Sequence, residues 1–89
     1  MARVKVRMFA TFREVAGCSE TSGEAGDVSG LLDALAARYG EAFARLVRGS
    51  SAEGFVVLVN GRNIGQLQSL TTPLADGDEV SLFPPISGG

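Results

Sequence analysis

An α+β fold, with one main helix packed against a mixed sheet of four or five strands, is what this sequence predicts. Three observations carry that expectation. Apolar residues alternate with polar ones near both ends of the chain, at Val4, Val6 and Met8 and again at Val80 and Leu82. A dense apolar run, Phe55-Val56-Val57-Leu58-Val59, stops at Asn60-Gly61, the pair favoured in a tight hairpin. One stretch, Val28–Tyr39, spaces its apolar residues by three and four, the signature of a helix with one buried face. Several strands and one such helix, within 89 residues of which 45% are apolar, make a single two-layer domain.

Taken in order, Val4–Phe9 reads as a strand with one buried face. Thr11–Ala16 makes one short helical piece before Gly17. Ser19–Gly26 is polar and glycine-rich, so it reads as a weak edge strand at best, with most of it loop. Asp27 is placed as an N-cap, and Val28, Leu31, Leu32, Leu35 and Tyr39 form the apolar face of the helix that follows. Gly40 takes the position of a left-handed C-cap. Glu41–Arg48 adds a second short helical turn that points Phe43, Leu46 and Val47 inward, and Gly49–Gly54 is a loop. After the strand at 55–59, Arg62–Ile64 returns as a short strand and Gly65–Thr72 crosses irregularly. Pro73–Asp78 is turn chemistry, and Glu79–Phe83 is the last strand.

Composition narrows the function. Eight Lys and Arg against ten Asp and Glu leave a net charge of −2, with no basic excess to hold a nucleic acid. There is no histidine, which removes imidazole bases and the commonest metal ligand, so no metal site is expected. The single cysteine, Cys18, makes neither an internal disulfide nor a thiolate cage, and fits a reducing, cytoplasmic home. No stretch has the length of a membrane span or the apolar block of a signal peptide. Asp33 and Glu41 are too isolated to act as an acid–base pair, so the chain lacks the residues of a self-sufficient enzyme.

The residues that carry chemistry are the last ones, Phe83-Pro84-Pro85-Ile86-Ser87-Gly88-Gly89. Pro84 and Pro85 bring no backbone donors and hold φ near −65°, so the sheet stops there and the chain leaves in a stiff, extended form. The chain thus divides into a domain at 1–83 and an extended tail at 84–89, which reaches roughly 20 Å. Two glycines at its tip thread a channel closed to any residue with a Cβ. They also leave the terminal carbonyl unshielded, with no stereocentre to racemise once it is activated. At neutral pH that carboxyl is ionised and a poor electrophile, so it needs activation, most simply as an acyl-adenylate. The chain has no phosphate-binding Gly-x-x-x-x-Gly-Lys-[Ser/Thr] loop, and its only lysine, Lys5, lies in the first strand. ATP is therefore expected on a partner enzyme, with no cofactor bound here.

Four segments, Met8–Gly17, Val59–Ile64, Leu74–Glu79 and Phe83–Gly89, resemble the MoaD/ThiS sulfur carriers, most of all the branch that serves molybdopterin synthase. The resemblance spans nearly the whole chain, and the terminal Phe-Pro-Pro-[apolar]-[small]-Gly-Gly is its most specific element. It implies a ubiquitin-like β-grasp fold and a terminal glycine that an E1-like enzyme adenylates and converts to a thiocarboxylate. Carried over, Gly89 bears the thiocarboxylate. Gly88 passes the acceptor's channel, with Ser87, Ile86, Pro85 and Pro84 behind it. The acceptor is the large subunit of molybdopterin synthase or another enzyme that takes sulfur. Ser19–Gly26 departs from the pattern, since relatives show a clearer second strand there.

Alternation also turns Phe9, Leu58 and Phe83 away from the core, as one exposed apolar patch at the root of the tail that suits partner docking. Asp76, Asp78 and Glu79 read as solvated turn residues and Arg62 as plain surface. Three functions stay open. The chain is a sulfur carrier, a ubiquitin-like modifier joined through Gly89 to lysines of target proteins, or a passive interaction domain.

Overall fold

The computed structural model describes residues 1–48, 55–64 and 69–84. Five strands form one mixed sheet in the order β2-β1-β5-β3-β4. They are β1 (Ala2–Met8), β2 (Glu20–Ala25), β3 (Val56–Val59), β4 (Arg62–Asn63) and β5 (Glu79–Phe83). Among the described residues there are also three helices, α1 (Thr11–Ala16), α2 (Val28–Tyr39) and α3 (Glu41–Arg48), and a short 3-10 turn at Ser69–Thr71. β5 is central: it runs parallel to β1, with Val6 opposite Val80, and antiparallel to β3, with Val57 opposite Leu82.

Alternation along the strands produces a two-faced sheet. Val4, Val6, Met8, Val57, Val59, Val80 and Leu82 are buried on one face, against Val28, Leu31, Leu32 and Leu35 of α2. Asp27 caps α2, its Oδ1 accepting from the Gly30 amide at 2.8 Å. A strap from Thr72 to Leu74 ties down the same helix end: the Val28 amide donates to the Thr72 carbonyl and the Leu74 amide to the Gly26 carbonyl. Phe43 is fully buried from α3 and meets Phe12 edge-on at 5.5 Å, while Phe12 meets Phe55 at 5.9 Å. Tyr39, the last residue of α2, joins this aromatic group with its ring 5.5 Å from that of Phe43.

Two expectations change. The segment from Glu20 to Ala25 is a full six-residue strand, paired to β1 along its whole length, and not mostly loop. Its glycine explains both the misleading composition and the structure. A Cβ on Gly23 would lie 2.7 Å from Leu31 Cδ1, so glycine here lets the helix press close to the strand. The second change is at Gly40, whose φ of 96° is positive but whose ψ of −168° is extended, outside the left-handed helical cap. Gly40 ends α2, its amide donating to the Ala36 carbonyl, and its own carbonyl accepts from Ala44 to open α3 without a linker. The loop expected at 49–54 lies outside the described residues.

Candidate functional site

β5 delivers the chain to Phe83 and Pro84, where the sheet ends. Pro84 is half-buried; Pro85, Ile86, Ser87, Gly88 and Gly89 lie outside the described residues. The described geometry is therefore that of the tail's root. Phe83 points to the solvent side of the sheet, because Val80 and Leu82 take the inner positions. Its ring stacks on Phe9 with centroids 4.4 Å apart and planes within 5°. Phe9 reaches that place because β1 ends at Met8 and the Phe9 amide still donates to the Leu82 carbonyl at 3.1 Å. Immediately afterwards the backbone reverses. Ala10 takes φ 52° and ψ −122°, and the Phe12 amide donates to the Phe9 carbonyl at 3.1 Å. These are the angles of the first central residue of a type II′ turn, a place that favours glycine.

Leu58 lies on the same outer face, but its register partner is Ser81; the residue opposite Phe83 is Val56. The patch expected at Phe9, Leu58 and Phe83 is thus four residues, and all four are half-buried where full exposure was anticipated. The two phenyl rings cover each other, and Val56 and Leu58 are neighbours along one short strand. The alternation that turns Leu58 outward turns Val56 outward with it; only its place opposite Phe83 waits on the register.

Charges occupy the rest of the outer face. Arg3 pairs with Glu24 at 3.6 Å, Lys5 with Glu20 at 3.7 Å and Arg7 with Glu79 at 3.2 Å. Asp76 and Asp78, expected as solvated turn residues, are tied into the turn. Asp76 accepts from the Arg3 amide, and Asp78 accepts from the Ala75 amide and from Asn60 Nδ2. Asn60 has φ 53° and Gly61 φ 86°, the hairpin geometry expected of that pair. Cys18 is half-buried, its Sγ 3.6 Å from the Tyr39 hydroxyl. Arg62 and Asp33 are exposed on β4 and α2, and Glu41 pairs with Arg45 within α3. Among the described residues, no three Cys, Asp or Glu side chains converge in a way that could hold a metal ion, and no helix is long and apolar enough to cross a membrane.

A mixed five-stranded sheet grasping one main helix, with its central last strand running out into a Pro-Pro segment, defines a ubiquitin-like β-grasp protein. The sequence profile of the ThiS family matches residues 6–89, and the chain belongs to that family. It is 40% identical over 90 residues to small archaeal modifier protein 3 of Haloferax volcanii, covering 97% of this chain and 98% of that one. It is 36% identical over 87 residues to the molybdopterin synthase sulfur carrier subunit of Chlamydomonas reinhardtii, covering 98% and 99%. The solution structure of small archaeal modifier protein 1 from Methanosarcina acetivorans superposes with a TM-score of 0.89 at 35% identity, over 100% of this chain and 98% of that one. The family thus includes both a sulfur-carrier subunit and modifier proteins.

Proposed function

We propose that the protein is a sulfur carrier whose Gly89 carboxylate is adenylated and then converted to a thiocarboxylate. In the first step the carboxylate attacks the α-phosphorus of ATP on an E1-like partner, forming the acyl-adenylate and releasing pyrophosphate. Sulfide-level sulfur, as hydrosulfide, then attacks the acyl carbon; the acyl C–O bond breaks, AMP leaves with that oxygen, the S–H proton goes to solvent, and the resulting thiocarboxylate carries the sulfur onward. Residues 84–89 form the inserting arm, with Gly88 in the narrowest part of the acceptor's channel. The acceptor we favour is the large subunit of molybdopterin synthase acting on a molybdopterin precursor, in the cytoplasm.

The observation that carries this reading is the family match running through Gly89, together with a central strand that ends at the Phe9–Phe83 stack just before Pro84. The relative named as a sulfur carrier subunit adds to it. The test is intact-mass analysis of the chain after incubation with an E1-like enzyme, ATP and a sulfur source. Exchange of one oxygen for sulfur at Gly89 is expected, and an unchanged mass with an enzyme active on its own carrier overturns the reading.

A second reading has its own support, the 40% identity to a protein named as a modifier. In it Gly89 is joined to lysines of target proteins. Lys5 is the only lysine of the chain, so self-linked chains through lysine have one attachment point, and that amine sits 3.7 Å from Glu20. Covalent adducts on other proteins that disappear when Gly89 is deleted would favour the modifier.

A further inference from the structure

Beside the Phe9–Phe83 stack lies a cleft of about 160 Å³, lined by Arg7, Met8, Phe9, Arg13, Ser19 and Glu20. Its charges are unevenly matched. Arg7 is held by Glu79 at 3.2 Å, and Glu20 holds Lys5 at 3.7 Å. Arg13, exposed on α1, has no partner among the described residues. Among the described residues the cleft therefore carries one guanidinium without a partner, on the surface of a chain whose net charge is −2.

Arg13 is also well placed. The turn at Ala10 sends the chain from Phe9 directly into α1, so the guanidinium and the apolar stack belong to one short segment. The Glu14 amide donates to the Ala10 carbonyl and the Gly17 amide to the Arg13 carbonyl, which anchors the helix on both sides of Arg13. An aromatic pair flanked by an exposed, forked cation suits an apolar protein surface with a carboxylate at its rim. Guanidinium binds carboxylate through two parallel N–H···O bonds, and that bond strengthens as the neighbouring apolar contact excludes water. Arg62, also an exposed cation without a partner among the described residues, lies on β4, with β5 and β3 between it and β1.

We propose that this cleft seats an aspartate or glutamate side chain of the E1-like adenylating enzyme that holds the tail, and that Arg13 selects that partner. The inference rests on the carrier reading above. Its test titrates the full chain against the purified E1-like adenylating enzyme at low and high salt, alongside thiocarboxylate formation by the unaltered chain. Arg13→Ala is expected to weaken binding about tenfold at low salt and flatten the salt dependence. Arg13→Glu weakens it further, and Arg13→Lys falls between, keeping the charge but not the fork. Arg62→Ala, which removes the same charge across the sheet, leaves the affinity unchanged. Equal affinities for Arg13→Glu and the unaltered chain overturn the inference while the carrier reading stands. So does an equal loss from Arg62→Ala, which would mean the field of the whole surface decides. If the unaltered chain neither binds nor gains sulfur, both fall. Unchanged melting curves show that the variants are folded.

Discussion

The two faces of the sheet are built from the same strands and do opposite work. β5 shows the contrast most compactly: Val80 and Leu82 are fully buried against the helical layer, while Glu79, Ser81 and Phe83 point to the other side. The inner face is almost wholly apolar and continuous with α2. The outer face is graded, from the pairs Arg3–Glu24 and Lys5–Glu20 through Arg7–Glu79 to the Phe9–Phe83 stack at the tail's root. Burial on one side can therefore carry stability while the other side stays free to carry recognition, and substitutions should separate the two.

The largest effect belongs inside. Phe43 is fully buried and touches both Phe12 and Tyr39 rings, at 5.5 Å each. Phe43→Ala should cost about 3–5 kcal/mol through lost burial and the cavity left behind. That is a large share of the roughly 5–15 kcal/mol holding a domain together, and the urea unfolding midpoint will report it. The counterpart outside is Phe9→Ala. It should cost only about 1 kcal/mol of stability, the worth of one half-buried ring pair. Binding to the adenylating enzyme should fall roughly thirtyfold, as for a central aromatic anchor. A stability loss as large as that of Phe43→Ala, with binding intact, would erase the division between the faces.

Most of the inner face was legible in the sequence, because burial imposes a period that composition cannot hide. Val4, Val6 and Met8, the helix face from Val28 to Tyr39, and the bounds Thr11–Ala16 stand where periodicity and capping put them. β2 was not legible, since Gly23 looks like a strand breaker until Leu31 is seen against it. Its pairing is a tertiary fact. The outer face was half legible. Alternation turned Phe9, Leu58 and Phe83 outward, but the register that sets Val56 opposite Phe83 depends on how β3 lines up with β5. Arg13 gave no signal of its own; it matters only because a turn brings it beside Phe9. Gly89 and the tail stand on sequence and family alone.

Where the two faces are joined, the chain is strained. Ala10, at φ 52° and ψ −122°, holds a conformation that costs a residue with a Cβ about 1–3 kcal/mol. Ala10→Gly removes that strain and gives back part of it by loosening the unfolded chain. A net gain of about 1 kcal/mol is expected, read as a higher melting temperature. Unchanged Phe9–Phe83 ring contacts by NMR would show that the turn, and not alanine itself, aims Phe9 outward. A loss of stability would mean that the Ala10 methyl makes contacts that outweigh its backbone angle.

The smallest effects should come from the charged end of the outer face. Side chains of the Arg3–Glu24 and Lys5–Glu20 pairs are all more than half exposed, so water screens them and each is worth little. Lys5→Ala should change stability by no more than about 0.5 kcal/mol, with the difference vanishing as salt is raised. These charge pairs do not set the alignment of β2 on β1 either. Sliding β2 by one residue along β1 would move its alternate side chains to the wrong faces. It would also take Glu24 from its place opposite Arg3. The buried face already forbids that slip, so Lys5→Ala should leave the cross-strand amide contacts between β1 and β2 unaltered in NMR spectra. A register shift in that variant would show that the exposed charges, and not the buried valines, choose the pairing.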